Sequence, residues 1–315
     1  MRFSFSLTTC LCLAATMLSC SVGNEAGNSI TDLRCEYQRS PLTVDVQAPR
    51  FTWIYDGVDG FVQHSYSLAV ASSEEKLSAP DIGGSGTVTS SVPLARMEDT
   101  GLMVSDHEYF WQVTAWNADS TKVLVAEPAK FRTALMGRTD WKAVWVTDSH
   151  DKDFEAAPMF RKEFDAGQDV VSARVYMSAC AYAEVRLNGE PVSDAFLDPG
   201  YTHYDRRNLY TVTDVTGKVR SGENVITAVL GNGFYNEIKP VATWNFENAR
   251  WRGRARFILE LHVTHADGTT SVIASDKTWK TTADGPYISN NIYSGDTYDA
   301  RKEIAGWYET GFDDS

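Results

Sequence analysis

The chain has 315 residues, enough for two domains of ordinary size, and a composition of 43% hydrophobic and 23% charged residues that is too apolar for a disordered chain. Its 29 Lys and Arg stand against 42 Asp and Glu, a formal charge of −13 with no basic run to offset it. A nucleic-acid partner is excluded, because neutralising phosphates needs clustered cations. Nine Trp, fourteen Tyr and fourteen Phe favour strands and supply flat faces on which sugar rings lie, although core packing absorbs most such rings.

Residues 1–20 read as a signal peptide. Arg2 gives a short positive region, and Leu11 to Leu18 an apolar one too short to span a bilayer. The segment closes on Met17-Leu-Ser-Cys20 and passes into a polar tether, 21–29. Small residues ahead of a Cys at this distance look like a lipoprotein signal, in which Cys20 is lipidated and becomes the mature N-terminus; ordinary cleavage a few residues away is the alternative. Both routes export the protein, as a cell-envelope lipoprotein or a periplasmic or extracellular protein, and membrane contact is expected only through the lipid. Cys10 and Cys12 leave with the signal. Cys35 and Cys180 fall in different domains and read as small buried hydrophobes, with neither a disulfide nor a metal site between them.

Residues 30–135 read as short strands separated by turns. Pro49-Arg-Phe-Thr-Trp-Ile54 starts one run and Ser65-Tyr-Ser-Leu-Ala-Val70 another, followed by a Gly- and Ser-rich loop expected at Ile82 to Gly86. The strongest strand is Glu108 to Trp116, where Tyr109, Trp111, Val113 and Ala115 share one face at a period of two. Strands at this spacing without helical segments predict an all-β sandwich. The Tyr-x-Trp-x-Val-x-Ala strand, with Leu102 seven residues before its Tyr, resembles the penultimate strand of fibronectin type III domains. Residues 136–140 form a linker, and Trp141-Lys-Ala-Val-Trp-Val146 opens a second domain that runs to 284. Its strands are expected at Met159–Phe164, Ser172–Ser178, Ala183–Leu187, Asn224–Leu230, Arg256–Thr264 and Thr270–Ser275, with tight turns at Asn188-Gly189 and Asp267-Gly268. With no long amphipathic helix, this domain too is a β-sandwich, of jelly-roll type. The polar and aromatic residues 285–315 suit an ordered connector lying on another surface.

Three phrases in the second domain carry a resemblance: Arg186-Leu-Asn-Gly-Glu-Pro-Val192, Leu197-Asp-Pro-Gly-Tyr-Thr-His-Tyr204 and Leu230-Gly-Asn-Gly-Phe-Tyr-Asn236. Supporting phrases are Phe160-Arg-Lys-Glu-Phe164, Ser172-Ala-Arg-Val-Tyr176, Arg207-Asn-Leu-Tyr210, Asp276-Lys-Thr-Trp-Lys280 and Tyr293-Ser-Gly-Asp-Thr-Tyr-Asp-Ala-Arg301, where Asp296 stands in place of the usual Glu. In this order they resemble the N-terminal region of bacterial α-L-rhamnosidases, glycoside hydrolases. The resemblance implies a catalytic (α/α)-barrel as partner, which hydrolyses terminal α-L-rhamnosyl bonds with inversion through two separated carboxyl groups. No helices for such a barrel are legible here, so the chain is expected to be a non-catalytic accessory region whose parent acts on rhamnose-containing glycans. The alternative is a standalone carbohydrate-binding protein.

No catalytic residue is assigned within the chain. His262 and His265, three apart on a strand, face opposite ways and make a poor metal pair. Asp313-Asp314 reads as a solvated tail, and Asp205, Arg206 and Arg207 as a surface ion cluster. No nucleophile-elbow, zinc-protease or phosphate-loop motif occurs. Some relatives of the second sandwich bind rhamnose through calcium held by an Asp-Asn pair; the matching stretch, Ser178-Ala-Cys-Ala-Tyr182, has neither, so no cofactor or metal is assigned. What remains is the loop from Asn232 to Trp251, with Asn232, Tyr235, Asn236, Trp244, Glu247 and Trp251 as candidates. Aromatic faces among amides suit a monosaccharide; the same residues suit docking onto a barrel.

Overall fold

The computed structural model describes residues 29–58, 60–238 and 246–315; the signal peptide, Cys20 and tether residues 21–28 lie outside them. Among the described residues the regular elements are strands and short 3-10 turns, and no helix is long and apolar enough to cross a membrane.

The first sandwich comprises β1 (Ser29–Cys35), β2 (Arg50–Asp56), β3 (Ser65–Ala71), β4 (Gly83–Thr89), β5 (Leu94–Arg96), β6 (Glu108–Trp116), β7 (Val123–Val125) and β8 (Ala129–Arg132). One sheet has the order β1-β2-β5; the other runs β4-β3-β6-β7, with β8 also on β6. Along β6, Tyr109, Trp111, Val113 and Ala115 are buried and their neighbours half-buried, the alternation the sequence predicts. Trp111 and Phe131 pack on Phe51 across the sandwich at 4.7 and 5.8 Å between ring centroids. The Tyr109 hydroxyl accepts the Val104 N–H at 2.8 Å, the corner contact that pins the approach to this strand in immunoglobulin-like folds. Leu102 itself is half exposed. The Gly- and Ser-rich stretch is not a loop but most of β4, with a bulge opposite Leu68 and Ala69. A Cβ on Gly84 would sit 3.0 Å from the Leu68 carbonyl oxygen, so small residues are what allow this edge to close on β3.

A 3-10 turn, Arg138–Asp140, follows, its Asp140 carboxylate accepting the Gly137 N–H at 2.8 Å and the Ser105 hydroxyl at 2.5 Å. The second sandwich comprises β9 (Met159–Asp165), β10 (Val170–Cys180), β11 (Tyr182–Leu187), β12 (Glu190–Pro191), β13 (Thr211–Asp214), β14 (Glu223–Gly231), β15 (Arg256–His265), β16 (Thr270–Ala274) and β17 (Lys280–Thr282). Its sheets are β13-β10-β15-β16 and β12-β11-β14-β9-β17. Val175, Met177, Leu259 and Leu261 from the first meet Val185, Leu187, Ile226 and Leu230 from the second. Asn188 and Gly189 both have positive φ, 53° and 84°, as a two-residue hairpin between β11 and β12 requires.

From Ala173 onward β10 is buried on both faces. One face builds the core; the other carries Arg174 and Tyr176, which with His262 of β15 meet Asp106 of the first domain. Asp106 accepts from the Tyr176 hydroxyl at 2.5 Å, Arg132 at 2.9 Å and Arg174 at 3.4 Å, and lies 2.9 Å from His262 Nδ1. His262 Nε2 is 2.7 Å from Glu260, whose other oxygen accepts the backbone N–H groups of Lys142 and Ala143 just after the linker. With a carboxylate on each ring nitrogen, His262 must donate twice, and only imidazolium does so. The two sandwiches are thus joined through a buried ionic network. His265, on the other side of the strand, contacts the Gln168 carbonyl and Ser271.

Residues 285–315 add a hairpin of β18 (Tyr287–Ser289) and β19 (Thr297–Tyr298) and a tail lying on β9. Arg161, 5% exposed, donates to the carbonyls of Trp307 at 2.9 Å and Glu309 at 2.8 Å and to the Asp314 carboxylate at 2.5 Å. The guanidinium also lies 5.4 Å from the Phe312 ring centroid. Asp314, expected in a solvated tail, is therefore an ion-pair partner of a buried arginine.

Candidate functional site

Because their strands are antiparallel, the C-terminal ends of β10 and β14 and the N-terminal end of β15 meet at one end of the second sandwich: Cys180 pairs with Arg256 and Tyr182 with Gly231. The candidate loop leaves from there. Asn232 and Asn236 point inward, 2% and 0% exposed. The Asn232 backbone N–H donates to the Asn290 side chain at 2.6 Å, and the Asn236 amide to the Lys152 carbonyl at 2.8 Å and Asn232 Oδ1 at 3.0 Å. These amides tie the loop to the connector and to the 152 segment. Trp244 and the rest of 239–245 lie outside the described residues. Glu247 is half-buried in a 3-10 turn, 3.4 Å from the Asn248 amide.

Tyr235 and Trp251 do come together, on either side of Tyr204, with ring centroids 5.3 and 6.4 Å from it. The Trp251 indole N–H donates to the Phe234 carbonyl at 3.2 Å. These rings line a cleft of about 320 Å³ completed by Trp145, Cys180, Asp205, Asn208 and Arg256. A Cβ on Gly253 would fall 2.7 Å from the Tyr235 hydroxyl, so the turn after Trp251 reaches the cleft only with glycine there. Tyr204 is 6% exposed and its hydroxyl has no hydrogen-bond partner among the described residues, an unmet polar group of the kind a ligand hydroxyl satisfies. Burial pushes its phenol up, so it remains a donor. Burial likewise pushes the Cys180 thiol up to about 12, and its S–H contacts Asn208 Oδ1 at 3.2 Å; it offers no thiolate. Among the described residues no group of three or more His, Cys, Asp or Glu could hold a metal ion. Asp205 is held below the usual carboxylate range by His203, 2.5 Å away, with Arg250 at 3.7 Å.

A second cleft, of about 580 Å³, adjoins the first through Trp145 and Asn208 and is lined by Arg138, Trp141, Arg206, Arg207 and Tyr210. A third, of about 830 Å³, lies on the opposite sheet between the 193–198 loop and the connector, with Phe196 94% exposed at its edge. Trp145, Tyr204, Asn208 and Arg256 were not among the site candidates read from sequence. Tyr204 and Asn208 stood in family phrases, but only strand register shows that they face Tyr235 and Trp251.

Two family models match in succession: the Rha78A-like N-terminal immunoglobulin domain over residues 30–137 and the α-L-rhamnosidase N-terminal domain over 168–315. An α-L-rhamnosidase of Formosa agariphila is 32% identical across 100% of this chain, which spans 36% of that protein. The structure of an α-L-rhamnosidase from Dictyoglumus thermophilum superposes with a TM-score of 0.80 at 33% identity, over 91% of this chain and 33% of that one. That of a Streptomyces avermitilis α-L-rhamnosidase complexed with L-rhamnose gives 0.79 at 22% identity, over 91% and 44%, a likeness of fold. The chain spans about a third of the length of the curated relatives it matches. The chain thus carries, in order, an immunoglobulin-like domain of the Rha78A type and the N-terminal domain of α-L-rhamnosidases.

Proposed function

We propose that this chain is the non-catalytic accessory region of an α-L-rhamnosidase, exported and anchored through Cys20, which holds a catalytic domain on its second sandwich. The observation that carries this reading is the match of both N-terminal domain models in order, on a chain that spans a third of full-length relatives. The exposed Phe196 beside the 830 Å³ cleft supports a docking face for that domain. Incubated with an aryl α-L-rhamnoside, the purified chain is expected to release no phenol above the uncatalysed rate. Release that scales with protein concentration would place the chemistry here and overturn the assignment. For the anchor, radiolabelled palmitate is expected to enter the exported protein and to be absent from Cys20→Ser; label retained in that variant removes the anchor from the proposal.

A second reading has its own observation. The cleft around Tyr204, with three aromatic walls and an unmet hydroxyl, has the size and chemistry to take one sugar ring.

A further inference from the structure

The two adjoining clefts differ in charge. Only Asp205 contributes a carboxylate to the smaller one, and it already faces His203 and Arg250. The larger has no acidic lining residue and three arginines, Arg138, Arg206 and Arg207. Among the described residues none of these guanidinium groups makes a close ion pair or a hydrogen bond, although the chain carries 42 acidic residues; the nearest charge effect is that of Arg206 in helping to lower the Asp205 carboxyl. Arg256 adds a fourth cation at the rim of the smaller cleft, 5.7 Å from the Tyr235 ring centroid. Three unpaired guanidiniums on a protein of charge −13 are a local reversal of sign, and guanidinium is the side chain suited to carboxylate and sulfate oxygens. Trp145 and Asn208 belong to both clefts, so one ligand can run from one to the other. Arg138 comes from the linker and Arg206 and Arg207 from the second sandwich, which places the charged cleft at the domain junction, a common position for ligand sites.

Resting on the reading that the smaller cleft takes a sugar ring, we infer that the pair of clefts binds a short acidic oligosaccharide. A neutral ring stacks between Trp251, Tyr235 and Trp145 and hydrogen-bonds the Tyr204 hydroxyl. A carboxylate or sulfate on the adjoining sugar meets Arg206, Arg207 and Arg138. No metal takes part in this arrangement.

The test is calorimetric titration of the intact chain, in chelator, with L-rhamnose, with a neutral rhamnosyl disaccharide, and with rhamnosyl disaccharides carrying either a uronic acid or a sulfate ester. The acidic disaccharides are expected to bind at least about tenfold more tightly than the neutral one at low salt, with the advantage shrinking as salt is raised. The double variant Arg206→Gln/Arg207→Gln, exposed positions whose loss leaves the unfolding midpoint in place, should remove that advantage and spare neutral binding. Tyr204→Phe should weaken all the sugars together. Comparing the two acidic ligands separates a carboxylate preference from a sulfate preference. Equal affinity for neutral and acidic sugars would overturn the inference while leaving the sugar-ring reading standing. No heat with any ligand at millimolar concentration would overturn both.

Discussion

Replacing His262 by Leu is expected to cost about 3 kcal/mol of stability and to split a single unfolding transition into two. The ring lies between Asp106 of the first domain and Glu260 of the second, and the Glu260 side chain is fully buried. Removing the cation leaves that carboxylate with only the Lys142 and Ala143 N–H groups. Deleting one partner of a buried ionic pair costs about 3–5 kcal/mol; Asp106 keeps Arg132, Arg174 and Tyr176, which puts the expectation at the lower end. Calorimetry on the variant should show separate transitions for the two sandwiches, because the network is what couples them. An unchanged single transition would mean that apolar contact alone holds the junction.

The same network gives a pH dependence with a definite sign. Burial disfavours the charged form of His262, but the hydrogen bonds to Asp106 and Glu260 outweigh it and hold the ring's pKa above its ordinary value. That contribution is fully present below about pH 6.5 and is lost as pH rises through the raised folded value. Asp106 and Glu260 move the other way. Burial alone would raise them; the His262 contact, with Tyr176 and the two arginines for Asp106 and two backbone N–H groups for Glu260, brings both below their ordinary values. Their contribution is present above about pH 4 and is lost as pH falls through the depressed values. Stability should therefore peak in mildly acidic solution and decline toward alkaline pH, and His262→Leu should flatten the alkaline limb. Unfolding midpoints taken between pH 4 and 9 decide the matter; a limb of equal slope in both proteins would locate the titration elsewhere.

The alternation in β6 and the Asn188-Gly189 turn were legible because each is written in adjacent residues. β4 was not, since its six small or polar residues of seven carry no strand signal, and pairing with β3 makes the strand. Nor was the junction: Asp106 and His262 are 156 positions apart, and nothing local separates a buried charge from a solvated one. The candidate site was half legible. Tyr235 and Trp251 stood out as rings in a polar loop, whereas Asn232 and Asn236 show that sequence cannot tell an amide facing a sugar from one binding the loop to the connector. Trp145 and Arg256 join the site only through strand register at the end of the sandwich.

Arg161→Met is expected to release residues 307–314 from β9 while leaving the sandwich folded. The guanidinium is 6% exposed as a side chain and makes two carbonyl hydrogen bonds and a 2.5 Å contact with Asp314. Methionine fills similar volume against the apolar surround but meets none of these groups. Asp314 is 31% exposed and Glu163 41%, so both carboxylates rehydrate once the tail lifts, which confines the loss to the docking itself. Two hydrogen bonds to a charged donor and one partly exposed ion pair together stabilise the docked tail by about 2–3 kcal/mol, a shift of roughly 30- to 150-fold in its docked population. Amide exchange at Trp307, Glu309 and Gly311 should accelerate by that factor, and a protease should clip the tail ahead of the sandwich. Glu163 accepts the Gly311 N–H at 2.6 Å and would keep a fragment of the contact, so Gly311 should accelerate least. Exchange unchanged at all three amides would show that other contacts fix the tail, such as the Tyr308 ring, whose edge would lie 3.2 Å from a Cβ on Gly189. The distinction bears on function, because the matched rhamnosidase domain runs through residue 315 and the tail's course on β9 is part of that domain.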